Sequence, residues 1–410
     1  MKNITSCRVC KGESIKTFFD LGRQPLANSL LKSPDEKEKF YPLSLSWCSD
    51  CNLVQLNQII EPKELFSKYI WVTATSETAR KFSETFYQEL VSHSNQGKKG
   101  YVLEVGSNDG TFLIPFIRSG YRVLGIDPAK NIVKLAEKNG VPTKCCFFGR
   151  QAAEELVKEK GLAKIIFARN VLPHVANTRD FVDGLQFCLG DQGVLAIEIH
   201  YAKKIPEELQ YDSIYHEHLC YFTFKTLERL LNDFNFYVFD IKESPISGGS
   251  IIVYLKKHKT EENPIVQQYR NKEKGNKIND FDTWKSFAQK AISHRKKLLN
   301  ILHNASRGGE MIVGYGASAR SSTLLNFCGI DSNIISIIAD QNPLKQNLFT
   351  AGTHIQIKRP EEIMRQNPKY ILILAWNFAD EIIKILKNKF NYRGSVIIPL
   401  PNDPFIKEKI

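Results

Sequence analysis

The stretch YVLEVGSNDGTF, residues 101–112, decides how this chain is read. It opens as a short, largely apolar run of strand length and ends in a turn whose glycines, Gly106 and Gly110, lie four apart. Small residues after such a strand let a ligand approach the backbone at the C-terminal edge of a sheet. The pattern recurs outward from there. YRVLGIDP (121–128), AKIIFARN (163–170) and GVLAIEIH (193–200) read as strands, with helices at 129–139 and 150–160 between them. Residues 76–92 read as a further helix, with Ser76 as its N-cap and Phe82, Phe86 and Leu90 recurring every four residues. Such alternation predicts an α/β fold built on a doubly wound parallel sheet.

The turn also constrains its ligand. It is not GxGxxG, the pattern that favours a dinucleotide. Its acids, Glu104 and Asp109, repel a pyrophosphate and tolerate a cation. Asp127 closes the second strand 21 residues after Gly106, where an acid accepts hydrogen bonds from ribose hydroxyls. The pattern resembles motif I of the S-adenosylmethionine-dependent methyltransferases. That resemblance implies that Glu104, Gly106, Asn108, Asp109 and Gly110 contact the methionine part of the cofactor and that Asp127 holds its ribose. Asn170 and His174 follow the third strand, over the crevice where open α/β sheets bind ligands. Asn170 is expected beside the cofactor, and His174 is a candidate acid, base or hydrogen-bond donor.

With 410 residues the chain has room for two or three domains. No apolar run reaches membrane-spanning length, and MKNITSCRVC lacks a signal peptide's apolar core, so a soluble, cytoplasmic protein is expected. The net charge is +12, but its basic residues are scattered, with only short clusters such as HRKK at 294–297. That reads as a solvated surface able to draw in a phosphorylated metabolite, not as a nucleic-acid-binding stripe. Cys7-x2-Cys10 and Cys48-x2-Cys51 form two tight turns separated by 37 residues. Four thiolates close a tetrahedral site completely, so a structural zinc is expected there. Cys145, Cys146, Cys188, Cys220 and Cys328 stand among apolar residues and are expected to be buried thiols.

FTFKTLERLLNDF (222–234) reads as a helix, YVFDIKES (237–244) and GGSIIVYLKK (248–257) as strands, and 258–279 as a polar surface connection. Apolar positions from Trp284 to Leu302 mark one face of a long helix. MIVGYGASARSSTLLNF (311–327) opens a second strand–turn–helix, followed by strands at 334–340, 370–376 and 394–401. Gly314, Gly316 and Ala319, with Asp340 at the end of the next strand, read alone as a dinucleotide fingerprint. An NAD-dependent nucleotide-sugar oxidoreductase is therefore the alternative reading. A helix N-terminus bearing Arg320, Ser321 and Ser322 also suits a diphosphate.

The densest chemistry is YDSIYHEHLCYF (211–222), which sets Tyr215, His216, Glu217 and His218 side by side among aromatic residues, as in a walled pocket. If the stretch is extended, Tyr215 and Glu217 share one face and His216 and His218 the other, and His216 is then equally suited to a buried structural role. The succession of the CxxC pair, DLGRQPLAN, VGSNDG, YDSIYHEHLCYF, GGS, GYGASARSSTLLN, AGTHI and LAWNFADEI covers nearly the whole chain. It resembles the sugar C-methyltransferases, which act on nucleotide-linked 4-keto deoxysugars. The resemblance implies a zinc-binding domain over 1–64, an S-adenosylmethionine-binding domain over 65–245 and a Rossmann-like substrate-binding domain without its own cofactor over 246–410. It implies methylation of a carbon beside the ketone, most often C-3, through an enolate. Tyr215, Glu217, His218 and His174 match active-site positions. His218 is the expected base, with Glu217 its orienter or the alternate base; Tyr215 and His174 are expected on the keto oxygen. Which of His218, Glu217 and Tyr215 takes the proton stays open. Substrate contacts are expected at Tyr69, Trp71, Thr73, Gly316, Arg320 and Ser321. Two positions depart from the family pattern. Trp71 stands where a second tyrosine is usual, and Ile252 where an arginine is frequent. A monomer is expected, with a nucleotide-diphosphate sugar as its partner and neither nucleic acid nor membrane.

Overall fold

The computed structural model describes every residue except 95–96, 247–248 and 308. Its packing divides the α/β chain into two compact units, each drawing on three stretches. The first comprises Met1–Lys16, Ser46–Lys203 and Leu219–Asp280; the second comprises Thr17–Leu45, Lys204–His218 and Phe281–Ile410.

The first unit is built on a seven-stranded sheet. Its spatial order is Tyr237–Ser244, Ser250–Lys256, Leu189–His200, Ala163–Arg169, Tyr101–Val105, Arg122–Ile126 and Thr143–Lys144. The last five run parallel, and Ser250–Lys256 pairs antiparallel with both of its neighbours. The strand expected from Gly248 thus starts at Ser250, and Gly248 lies outside the described residues. All five residues of Tyr101–Val105 are buried, as a central strand covered on both faces requires. Phe86 and Leu90 of the helix Glu77–Ser92 pack on Val102, Ile165 and Phe167. Ser76 caps that helix by accepting from the Ala79 N–H.

The polar stretch 258–279 carries a helix, Pro264–Gly275, which the sequence reading assigned to a surface connection. Asn263 accepts from the Ile265 N–H, Pro264 sits in the first turn, and Val266, Tyr269 and Glu273 share the buried face. Charged residues on the other face masked the periodicity. The Glu273 carboxylate accepts from the Phe224 and Lys225 N–H groups (2.5 and 3.0 Å), closing the start of the helix Phe224–Asn232. It also accepts from the Tyr201 hydroxyl at 2.8 Å and the Asn279 amide at 3.2 Å.

The second unit has a six-stranded sheet in the order Gln356–Lys358, Ile337–Ala339, Ile312–Tyr315, Tyr370–Ile373, Ser395–Ile398 and Phe405–Lys407. Only the last is antiparallel to its neighbour. The helix Phe281–Ser306 buries Trp284, Phe287, Ala291, Leu298 and Leu302, and the helix Ala319–Cys328 follows the Gly316 turn. Cys188, Cys220 and Cys328 are buried, but Cys145 is exposed and Cys146 half-buried. They follow the two-residue strand Thr143–Lys144 at the edge of the sheet, where among the described residues no further strand covers them. No helix among the described residues is long and apolar enough to cross a membrane.

Replacing Glu273 by alanine strands two helix N–H groups and a buried hydroxyl. Glu273→Ala is expected to cost about 2–4 kcal/mol, read as a fall in the denaturation midpoint.

Candidate active site and zinc centre

The two CxxC turns have the same backbone. Lys11 and Asn52, each just after the second cysteine of its pair, adopt φ of 63° and 67°. The Cys7 N–H donates to Gly12 O and the Cys48 N–H to Leu53 O. This curl aims both thiols of each pair to one side. All four sulfurs lie within 4.8 Å of one another, with Cys7–Cys51 at 3.5 Å and Cys10–Cys48 at 3.6 Å. Bonds of about 2.3 Å to a tetrahedral zinc set sulfurs about 3.8 Å apart, so the donor set fits a structural zinc. The first knuckle is tied to the rest of the unit. The Arg8 guanidinium, buried, donates to Gln55, Leu56 O and Gln58 O, while Arg8 O and Val9 O accept from Thr178 and Arg179 at the start of the helix Thr178–Cys188.

At the glycine turn, Gly106, Asn108 and Gly110 all have positive φ (73°, 50° and 80°). A Cβ on Gly106 would lie 2.2 Å from Val171, so only glycine lets the 170–174 turn pack here. Asp127 accepts from the Asn108 N–H at 3.0 Å and the Ala129 N–H at 2.9 Å, and burial holds its carboxyl above the usual range. Glu104 is fully buried, and one carboxyl oxygen has no hydrogen-bond partner. Burial pushes its pKa well up, and the nearby Arg169 guanidinium only partly opposes this. Arg169 is itself engaged by Glu198 at 2.6 Å and lies over the Phe112 ring.

The segment expected to touch substrate docks on this turn. Asn108 accepts from the Thr73 N–H (2.9 Å) and donates to Trp71 O (3.1 Å); Asp109 accepts from the Ala74 N–H (3.0 Å). Asn131 exchanges two bonds with the Tyr69 backbone. Tyr69, Trp71 and Thr73 are therefore held beside the glycine turn, with the Trp71 side chain exposed. Asn170, at φ 53°, donates its N–H to Glu198 O, and His174 ends a short 3₁₀ turn with its ring edge-on to Phe66. The preceding residue, Pro173, accepts from the Leu219 N–H at 2.8 Å.

Tyr215, Glu217 and His218 lie together in the second unit. The stretch is a turn, not an extended strand, so the alternation of faces that an extended chain would give does not arise. The His218 N–H donates to Tyr215 O, and the two rings meet with centroids 4.0 Å apart. His218 Nδ1 is 2.7 Å from Ser213 O, a pure acceptor, so Nδ1 carries the proton. Nε2, 2.7 Å from the Tyr215 hydroxyl, is then the basic atom. Burial raises the Tyr215 pKa, and the Glu217 charge adds to this. Glu217 accepts from the Asn28 amide at 2.6 Å; the role of Asn28 was not read from sequence, although DLGRQPLAN was singled out. His216 donates through Nε2 to Pro42 O and is buried, which lowers its pKa. Gly316 adopts φ 99°. Arg320 and Ser321 are engaged within the fold, Arg320 with Asp212 and Gln210, and Ser321 with Ser318 in a capping box.

The parallel sheet, the acidic glycine turn and the acid closing the next strand mark the class of S-adenosylmethionine-dependent methyltransferases. Family models described as a putative zinc binding domain, a methyltransferase domain and a C-methyltransferase C-terminal domain match residues 7–66, 77–241 and 245–401. The C-methyltransferase NovU of Streptomyces niveus is 30% identical over 405 residues, covering 98% of this chain and 96% of that protein. Among solved structures, magnesium protoporphyrin IX methyltransferase from Synechocystis with bound S-adenosylmethionine is 15% identical, with TM-score 0.33, over 43% of this chain and 79% of that one. A possible histamine N-methyltransferase from Thermotoga maritima is 16% identical, with TM-score 0.33, over 43% and 90%. The chain belongs to the sugar C-methyltransferase family and is an S-adenosylmethionine-dependent C-methyltransferase with a structural zinc.

Elemental analysis is expected to find one zinc per chain. Cys48→Ser should lose it and lower the thermal midpoint by about 5–10 °C. Because Glu104 has a raised pKa in the folded state, its ionisation opposes folding as pH rises above its unfolded value near 4. Glu104→Gln should therefore gain stability over the parent progressively with pH, checked by melting curves of the ligand-free protein across pH 5–9.

Proposed function

We propose that the protein methylates the carbon beside the ketone, C-3 in the first instance, of a nucleotide-diphosphate 4-keto-deoxyhexose, as a step towards a branched deoxysugar. The observation that carries this reading is the Tyr215–His218 pair, whose imidazole tautomer is set by Ser213 O. Carbon methylation beside a ketone requires removal of an acidic C–H proton, a donor to the resulting enolate oxygen and an in-line methyl group. S-adenosylmethionine supplies the electrophilic methyl and leaves as S-adenosylhomocysteine. His218 Nε2 takes the proton. The Tyr215 hydroxyl, kept neutral by its raised pKa, and His174 donate to the enolate oxygen; the carbon then forms its bond to the methyl. Glu217, steadied by Asn28, orients the imidazole or takes the proton in its place. Glu104, Gly106, Asn108, Asp109, Gly110, Asp127 and Asn170 hold the cofactor, whose positive charge suits the acids of the turn.

Tyr69, Trp71, Thr73 and Gly316 are assigned to the sugar nucleotide. Arg320 and Ser321, engaged within the fold, are left to its architecture. The NAD-linked alternative gives way to membership of the C-methyltransferase family, and the Lys345 ammonium against Asp340 occupies the acid that a dinucleotide ribose would need. We place the enzyme in the cytoplasm, acting as a monomer.

Mass spectrometry of the protein with S-adenosylmethionine and a panel of dTDP- and GDP-4-keto-deoxyhexoses should show a gain of one methyl. His218→Asn should still bind S-adenosylhomocysteine but lose about 10²-fold or more in kcat. Full turnover by that variant refutes the assignment.

A further inference from the structure

Directly before the reactive turn, Asp212 is buried without exposure to solvent and receives three hydrogen bonds. Arg320 forks onto it through Nε (3.1 Å) and Nη2 (3.0 Å), and the Trp376 indole N–H donates at 2.7 Å. The same guanidinium lies over the Trp376 ring, 4.9 Å from its centroid, and reaches Gln210. Three segments meet here: 210–214, the first turn of the helix Ala319–Cys328, and the 3₁₀ turn Trp376–Phe378. Further contacts from the helix Ala319–Cys328 continue along the segment. Thr323 donates to Ile214 O at 2.9 Å, and Cys328 meets the Tyr211 hydroxyl at 3.4 Å. That hydroxyl is also 3.0 Å from His294 Nδ1, whose other nitrogen donates to Pro399 O. Residues 210, 211, 212 and 214 are thus each pinned by side chains from Phe281–Ile410, while 215–218 carry the chemistry.

A buried carboxylate held bidentately and by an indole N–H is a stiff joint, because each donor has fixed geometry. Its stiffness passes to the next residue, Ser213, whose carbonyl fixes the protonated nitrogen of His218. We propose that Asp212, clamped by Arg320 and Trp376, is the positioning anchor that aims the Tyr215–His218 pair, and that Arg320 serves the reaction through this loop and not as a diphosphate ligand. The inference rests on the assignment of Tyr215 and His218 to proton removal and enolate binding.

The test uses the full chain with Asp212→Asn, and with Trp376→Phe as a milder variant that keeps an aromatic ring but has no indole N–H. Hydrogen–deuterium exchange of the peptide covering 211–218 is followed beside kcat, KM and the S-adenosylhomocysteine Kd. Both variants should exchange at least tenfold faster across 213–218 and lose tenfold or more in kcat. KM for the 4-keto sugar nucleotide and the Kd should each change less than threefold. Wild-type exchange in both variants overturns the anchor, as does faster exchange with unchanged kcat. If the parent methylates no 4-keto sugar in the panel, the functional reading fails, and the exchange rates still decide whether Asp212 holds the loop.

Discussion

Each unit depends on one bond: a carboxylate at the end of a strand accepts a backbone N–H from the turn that ends the neighbouring strand. Asp127 takes the Asn108 N–H at 3.0 Å, and Asp340 takes the Ala317 N–H at 2.8 Å. Each acid uses its second oxygen on the residue two further along, Ala129 or Asn342. A turn that curls back over a sheet edge exposes N–H groups with no strand partner, and a buried N–H left unpaired costs about 1–3 kcal/mol. The carboxylate removes that cost and draws the turn inward, which demands left-handed backbone at Gly106 and Asn108 in one unit and at Gly316 in the other. In the first unit, 69–75 docks onto this turn through Asn108 and Asp109, and 170–174 through the space beside Gly106.

Shared backbone does not make shared ligands; charge separates the two turns. Around the first, Glu104, Asp109 and Asp127 gather while Arg169 is bound to Glu198. A cofactor bearing a sulfonium and an ammonium relieves that excess, and a pyrophosphate would worsen it. In the second, Lys345 donates to Ala317 O at 2.6 Å and sits 3.4 Å from Asp340, so the acid is already answered. The helix after that turn is then free for another purpose, and through Arg320 and Thr323 it bonds Gln210, Asp212 and Ile214.

Much of this was legible in the sequence because it is local. A strand ending in glycines, an acid closing the next strand, paired CxxC turns and an N-cap serine are short-range devices, and the elements at 77–92, 101–105 and 150–160 lie where they were expected. The helix Pro264–Gly275 escaped because only three of its residues are buried, one of them Glu273, and most of the rest are polar. The geometry of 215–218 escaped because alternation of faces presumes an extended chain, whereas the bond from His218 N–H to Tyr215 O makes a turn. Asn28 with Glu217 and Arg320 with Asp212 join residues 189 and 108 positions apart, and no periodicity announces such pairs. Arg320 read as a phosphate ligand for a sound reason, a guanidinium at a helix N-terminus, but here the anion it meets is a buried carboxylate of the same chain.

The proton chemistry follows from one acceptor. An imidazole with a carbonyl at Nδ1 has its basic lone pair on Nε2, so Ser213 O sets Nε2 as the atom of His218 able to act as the proposed base. The Tyr215 hydroxyl occupies that lone pair in the resting protein. Under the proposed assignment, an Nε2 that took a substrate proton could no longer accept from the phenol, and the phenol O–H would turn to another acceptor. The enolate oxygen of the proposed reaction, created in the same step, would be the strongest acceptor then available. Deprotonation and release of the oxygen donor would thereby be one event, and both would depend on the position of Ser213. Ser213 follows Asp212 in the chain, so in the proposed reaction the clamp on that carboxylate would bear on where the proton goes.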